Sequence, residues 1–257
     1  MSFPIEIERT FREHWPSALA ALAIPARMID LSPEDVEALG GYTPEFRDAV
    51  FGKVTRRKLS PTFLAALDAA IAKAPGAVFP RLGYCSWKAS APCAVPARTA
   101  RHVLETITRP DARVARALLV AVSAQSGVAL HLVDWREIPA WSEFRLFIRD
   151  RRLIGASQYY CNRAFPELAA AGSALETEIR RFAEALSSTL HTTNVVADIY
   201  LAPDKSRGLK AELLELNPFS PLTSPCLFTW YRGGDFDGSI RAVDGGAQKS
   251  SGLASLS

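Results

Sequence analysis

The stretch Glu212–Trp230, ELLELNPFSPLTSPCLFTW, decides how the second half of this chain is read. Its first part, Leu213 to Leu216, has the apolar character of a buried strand. Yet Glu215 and Asn217 sit inside or just after that run. Side chains of a strand alternate between its two faces, so these two share one face. A buried acid and amide need partners, because desolvating them uncompensated is costly. The nearest candidate strand is VVADIYL (195–201), in which Asp198 shares a face with Val196 and Tyr200. The turn-rich connection APDKSRG (202–208) predicts a hairpin between the two strands. Asp198 is then expected to lie across from Glu215, although spacing alone does not fix the register. Asp198, Glu215 and Asn217 would converge, and hard cations such as Mg²⁺ prefer such oxygen ligands, with substrate phosphates completing the shell. The plainer reading has Glu215 and Asn217 capping a strand end and Asp198 pairing with an Arg or Lys. Spacing alone favours the plainer reading, because single motifs often arise by chance.

Working outward, VALHLVDW (128–135), EFRLFIRD (143–150) and RLIGASQYY (152–160) read as strands, with a tight hairpin at Asp150-Arg151. Leu175 to Leu190 reads as an amphipathic helix with acids early, at Glu176 and Glu178. Upstream, Ser60-Pro61 opens a helix, with Ser as N-cap and Pro at the first position, and Pro75-Gly76 closes it. AVFPRL from Ala77 is a short strand, residues 84–96 are irregular, and 97–108 and 112–125 read as helices. Residues 1–75 read as helix and loop, and the Gly/Ser-rich end, SSGLASLS, as disordered. The class is mixed α and β with mostly antiparallel strands in the second half. The expected layout is a helical N-terminal lobe over 1–75, a core over 76–234 split into lobes 76–127 and 128–234, and a disordered tail over 235–257.

The 257 residues are 48% hydrophobic and 22% charged, ordinary globular composition. A net charge of +3 is too small to argue for nucleic-acid binding. No apolar run reaches membrane-span length, and the longest, Ala115 to Ala124, contains Arg116. The acid-bearing N-terminus lacks the apolar core of a signal peptide. Cys85, Cys93, Cys161 and Cys226 show no CxxC or zinc spacing, which reads as reduced thiols in a cytoplasmic protein. His14, His102, His131 and His191 are scattered and read as structural. No Walker A or GxGxxG sequence is present. The run RDRR (149–152) reads as a solvated hairpin tip, with an acidic partner as the alternative.

VFPRL (78–82), SWKAS (86–90), LHLVDWREI (130–138), EFRLFI (143–148), LIGASQ (153–158), VVADIY (195–200) and LLELNPF…LFTW (213–230) occur in that order. Together they resemble the cell division cycle protein 123 family, whose members have an ATP-grasp fold. The resemblance spans roughly residues 75 to 230. It implies an α+β, ATP-grasp-like fold with mostly antiparallel sheets, flanking helices and a small helical N-terminal lobe, binding ATP and Mg²⁺. It implies that Asp198, Glu215 and Asn217 hold the metal. Arg81 falls where the family has a phosphate-binding lysine. Trp135 falls at the adenine hinge. Arg145 would point into the cleft near the phosphates, and Gln158 would end a neighbouring strand. Lys88 is a further candidate phosphate contact, against a solvated loop lysine. Glu215 replaces the family's usual aspartate, Tyr159 stands where arginine is common, and Val133-Asp134 replace basic residues before the hinge Trp.

From the residues alone, Arg145 could clamp a phosphate or pair with Glu143, two positions away on the same face. Removing Asp198 or Glu215 is expected to abolish Mg²⁺-dependent ATP binding and, by relieving carboxylate crowding, to leave the nucleotide-free protein no less stable. Eukaryotic members of the resembled family help assemble the heterotrimeric translation initiation factor 2 by binding its gamma subunit, so an ATP-dependent assembly factor, or chaperone, is the leading expectation. The Ala- and Arg-rich composition suggests a high-GC, bacterial source, in which that partner would differ. The alternative is an ATP-grasp ligase that activates a carboxylate as an acylphosphate, with Arg145 and Arg81 as the candidate cations.

Overall fold

A computed structural model describes residues 4–50, 58–83, 85–87, 96–206 and 208–243. Lys88, Cys93 and the SSGLASLS end lie outside the described residues. Two sheets organise the chain. The first contains β1 (Ala26–Leu31), β2 (Val78–Leu82) and β3 (Val128–Asp134) in the order β1-β3-β2. The second contains β4 (Glu143–Arg149), β5 (Arg152–Gln158), β6 (Val195–Asp204), β7 (Gly208–Asn217) and β8 (Ile240–Arg241) in the order β7-β6-β4-β5-β8. All pairings are antiparallel except the short parallel contact of β5 with β8. The α+β class with mostly antiparallel sheets and flanking helices is as expected.

Helices α1 (Ile5–Glu8) and α2 (Ser17–Ala20) precede β1, and α3 (Pro33–Gly40), α4 (Pro44–Val50) and α5 (Pro61–Ala72) follow it. The Ser60 hydroxyl accepts the Phe63 N–H at 3.0 Å, so α5 starts where the Ser-Pro signal places it. Helices α6 (Ala100–Ile107) and α7 (Ala112–Ala124) complete the first lobe. One face of the first sheet, carrying Ile29, Leu82, Leu130 and Leu132, packs with these helices through Phe46, Phe63, Val103 and Leu118. The far face of the second sheet, carrying Phe144, Leu146, Ala197 and Ile199, packs on α8 (Pro166–Thr189) through Ile179, Phe182 and Leu186. That helical run begins earlier than expected and breaks at Gly172, whose φ is 47°.

Three features differ from the sequence reading. The helix-and-loop reading of 1–75 misses β1, which is short and charged; only Ile29 and Leu31 turn inward while Met28 and Asp30 face out. Strand β3, expected to open the second lobe, pairs with β1 and β2 in the first sheet. Within the expected tail, Ile240 and Arg241 form β8. The Asp150-Arg151 hairpin is as expected: both residues have positive φ, 51° and 58°. Such a tight turn matches the twist of its strands. It is held by Asp150 N–H to Asn194 Oδ1 and Arg151 N–H to the Thr193 carbonyl.

The two sheets are laced together by the segment before β1. Leu213 N–H donates to the Leu22 carbonyl at 2.9 Å, and Ile24 N–H donates back to the Leu213 carbonyl at 3.3 Å. Residues 22–24 thus run along β7 before the chain enters the first sheet. On the second sheet, Gly155 leaves room for the Phe228 ring, which packs on Phe147 and Phe236. A Cβ at Gly155 would lie 2.6 Å from that ring's Cζ. Gly155→Ala is therefore expected to destabilise the protein by about 1–3 kcal/mol, the range for overpacking a filled core. Urea unfolding checks this, and an unchanged midpoint would contradict the packing described.

Candidate functional site

The site follows from strand register. In antiparallel pairs, facing residues point the same way. Arg145 in β4 faces Asp198 in β6, and Asp198 faces Glu215 in β7. The expected pairing of Asp198 with Glu215 is therefore what the structure shows. A β-bulge follows at once: Ile199 pairs with Leu213, which leaves Leu214 as the extra residue. The bulge turns Glu212 to the same side as Glu215, three positions apart, and the Tyr200 hydroxyl donates to Glu212 Oε2 at 2.7 Å. Strict alternation places those two acids on opposite faces, so sequence reasoning missed this contact.

The acids are met by arginines. Arg145 grips Asp198 with two hydrogen bonds, Nε to Oδ1 at 2.7 Å and Nη2 to Oδ2 at 2.8 Å. Both residues are buried. Asn217 Nδ2 adds a third donor to Asp198 Oδ2 at 3.1 Å. Arg145 Nη1 reaches the Ser224 carbonyl at 2.9 Å, and its guanidinium lies 4.9 Å from the centre of the Tyr159 ring. Arg81 in β2 crosses from the first sheet, with Nη2 3.1 Å from Glu215 Oε2 and Nη1 3.4 Å from the Leu214 carbonyl. Burial raises the Asp198 pKa, Arg145 pulls it back, and the facing Glu215 carboxylate raises it further; the balance stays above the ordinary carboxylate value. Burial opposes the charge on Arg145, but Asp198 more than offsets this and raises its pKa.

A cavity of about 370 Å³ opens between the sheets. Part of its lining is apolar: Ile24, Phe79, Val133, Trp135, Ile138 and Leu214. The Phe79 and Trp135 rings lie 6.5 Å apart. The same lining carries Arg81, Asp198 and Glu215 together with Asp134. Trp135 donates its backbone N–H to the Ala77 carbonyl at 2.8 Å, which ties the start of the connection between the sheets to the residue before β2. Glu143, Arg136 and Tyr160 line the rim and were not singled out from sequence. Their signal, polar residues at strand ends beside a hinge, is visible only with the topology in hand.

Of the expected site residues, Arg81, Trp135, Asp198 and Glu215 line this cavity, with Asn217 bonded to Asp198. Arg145 is placed differently from both expectations. It neither projects toward a phosphate nor pairs with Glu143, because Asp198 directly across from it takes the guanidinium edge on. Gln158 does end β5, but its amide is engaged elsewhere: Nε2 donates to the Tyr160 and Arg163 carbonyls and Oε1 accepts the Val243 N–H. Those three bonds make it a brace for the turn after β5. Lys88 lies outside the described residues. Cys85, Cys161 and Cys226 are free thiols. No described helix is long and apolar enough to cross a membrane. Among the described residues no three or more His, Cys, Asp or Glu side chains gather as a metal site; the set here is two carboxylates and an amide.

The Arg145 pairing also corrects the expectation that losing a carboxylate only relieves crowding. Breaking a buried pair from one side leaves an uncompensated charge, at a cost of about 3–5 kcal/mol. Arg145→Met leaves Asp198 buried beside Glu215, so its pKa rises further. A carboxyl whose folded pKa exceeds its unfolded value favours the folded state most at low pH, and this contribution is lost as pH rises through the folded pKa. Arg145→Met is thus expected to destabilise by about 3–5 kcal/mol near neutral pH and by less near pH 5. Denaturant unfolding of both proteins at the two pH values tests this; an equal loss at both would contradict it.

The D123 family model matches residues 116–233 of this chain. The translation initiation factor eIF2 assembly protein of Candida albicans is 28% identical over 184 residues, covering 64% of this chain and 51% of that protein. That of Botryotinia fuckeliana is 35% identical over 104 residues, covering 39% and 24%. The chain spans about half or less of the length of these curated relatives. The structure of Cdc123 from Schizosaccharomyces pombe superposes with a TM-score of 0.71 at 21% identity, covering 93% of this chain and 98% of that one, so the two share a fold. These relatives lend no support to the bacterial source suggested by composition.

Proposed function

We propose that this chain, which belongs to the cell division cycle protein 123 family, binds Mg-ATP in the cleft between its sheets and acts as an ATP-dependent assembly factor for a protein partner. The observation that carries the nucleotide reading is the make-up of the cavity wall. The Phe79 and Trp135 rings suit a purine, and the same cavity presents Arg81 with Asp198 and Glu215. The donor set fits a hard divalent cation in kind: two facing carboxylates and an amide, all able to offer oxygen. A divalent cation bound there would neutralise phosphate charge.

The chain's own residues then divide the work. Phe79 and Trp135 would cover the base, and backbone groups near Trp135 would read its edge. Arg81, tied to Glu215 in this structure, would turn its guanidinium to a phosphate once Glu215 has another positive partner. Its planar fork suits phosphate oxygens differently from the lysine common in the family. Arg145 would hold Asp198 ionised and in place from beneath. Two relatives are named for assembly of eIF2, and the proposed partner here is that factor or a translation factor like it, met in the cytoplasm. Arg145, one of the two candidate cations for an acylphosphate, is spent on Asp198, which weakens the ligase alternative.

Calorimetry tests the nucleotide reading. ATP is expected to bind only with Mg²⁺, and Glu215→Gln to weaken that binding at least about tenfold, or ~1.4 kcal/mol. Magnesium-independent binding, or unchanged affinity in the variant, would overturn the metal assignment. Retention of purified eIF2 on the immobilised protein, stronger with Mg-ATP than without, is the expected sign of the assembly role. Phosphate release that requires a carboxylate and an amine would favour the ligase instead.

A further inference from the structure

The hairpin tip RDRR, at 149–152, carries three arginines, and all four of its residues are exposed. Its sequence is not the one that folding alone would favour. Asp150 and Arg151 both have positive φ, a conformation that two-residue hairpin loops fill best with Asn-Gly or Asp-Gly. Arg151 thus stands where glycine carries no steric penalty. Arg149 and Arg152 are directly opposite each other across the hairpin. Like charges at such a cross-strand position destabilise a sheet. Among the described residues, neither of these two guanidinium groups has a hydrogen-bond or ion-pair partner. By contrast, Arg101, Arg180 and Arg181 each pair with a carboxylate of their own helix. Local rules broken without internal compensation are expected where function requires them.

Beside the tip, a groove of about 250 Å³ runs between the hairpin and α8. Arg151 and Arg152 line it from the hairpin, and Arg180 lines it from α8. Two of these three are anchored. Arg151 Nη1 donates to the Ser187 carbonyl at 3.1 Å, and Arg180 donates to Glu176 at 2.8 Å and to the Gly238 carbonyl at 3.3 Å. Leu153 and Ala183 supply apolar wall, and Glu184 adds one carboxylate. None of these residues lines the cleft, so this is a separate surface. Converging guanidinium groups suit a carboxylate, which accepts two N–H bonds from one planar fork. The apolar wall suits the methylene stem that carries such a carboxylate. Glu184 opposes a run of phosphates, and no aromatic ring lines the groove for bases to stack on. The chemistry therefore favours an acidic polypeptide over a nucleic acid.

We propose that this groove is a docking site for an acidic segment of a protein partner. One glutamate or aspartate side chain sits among Arg151, Arg152 and Arg180, and a neighbouring acid meets Arg149. The inference goes beyond the nucleotide reading and does not depend on it. A partner held here leaves the cleft open, so nucleotide and partner need not compete for the same residues. Its acids also relieve the repulsion between Arg149 and Arg152, which makes the occupied hairpin the more stable one.

Fluorescence anisotropy of a labelled hexaglutamate peptide, titrated with the full chain at low and at physiological salt, tests the proposal. The wild type is expected to bind the peptide, less tightly as salt rises. The double variant Arg149→Gln, Arg152→Gln is expected to weaken binding about fivefold, the loss of two exposed ion pairs. Its melting temperature should not fall, because no internal bond is lost and the facing charges are gone. Arg149→Lys with Arg152→Lys should recover part of the affinity, keeping the charge but not the fork. Arg113→Gln with Arg116→Gln removes the same charge from the exposed side of α7 and should stay within about twofold of wild type. An equal loss in the α7 variant would reduce the effect to overall charge and overturn the proposal. So would unchanged affinity in the hairpin variant, a loss accompanied by a lowered melting temperature, or no binding by the wild type. Tighter binding of an oligouridylate of equal charge, lost in the same hairpin variant, would assign the groove to phosphates and overturn it too.

Discussion

The buried pair of Arg145 and Asp198 is the constraint on which the second sheet depends. A carboxylate in the middle of a three-strand face is tolerable only if its oxygens are saturated by a cation held in good geometry. Arg145 meets that demand from the adjacent strand, so the pairing of β4 with β6 and the charge balance are one arrangement. The same two residues recruit their surroundings. Asn217 fastens the end of β7 to Asp198, and the Ser224 carbonyl fastens the loop after β7 to Arg145. That loop carries Phe219, Phe228 and Trp230 over the sheet, where they meet Phe147 and Phe236. The two halves of ELLELNPFSPLTSPCLFTW are thus linked, one supplying the charge and the other its cover.

The cleft inherits its chemistry from simple geometry. Strand alternation aims Phe79 and Arg81 the same way, and register aims Arg145, Asp198 and Glu215 at them. The bulge at Leu214 does what alternation cannot. It offers its carbonyl to Arg81 and sets Glu212 beside Tyr200. Charges inside a protein must balance before any ligand arrives, and here each central acid meets an arginine. A ligand bearing its own metal and its own negative charges could exchange partners with that network without leaving a bare ion behind.

Much of this was legible in the sequence. The hairpin that sets Asp198 across from Glu215 followed from two apolar runs and a turn-rich connection, while its register came only with the structure. The α5 start followed from Ser-Pro, and the β4–β5 hairpin from the Asp150-Arg151 break. The parts that were not legible share a cause: they depend on contacts distant in sequence. ARMIDL is too short and too charged to declare itself a strand until β3 pairs with it. The bulge adds a residue whose position no local pattern marks. The plainer sequence reading, Asp198 paired with an arginine, describes the structure as it stands, yet nothing local identified Arg145 as that arginine. Its placement required the order of β4 and β6, 53 residues apart in the Arg145–Asp198 pair.

The strap of residues 22–24 along β7 has a consequence for biosynthesis. Trp15, Leu19 and Ala23 belong to the core of the second sheet, and their partners include Leu213 and Leu216. Those partners leave the ribosome about two hundred residues later. The N-terminal segment therefore cannot bury its apolar side chains while the first lobe is assembling, however well that lobe folds on its own. Long-range closure of this kind is slow and leaves sticky surface waiting. Residues 15–23 would be among the last to settle, which makes the chain's own maturation a problem in protection during synthesis.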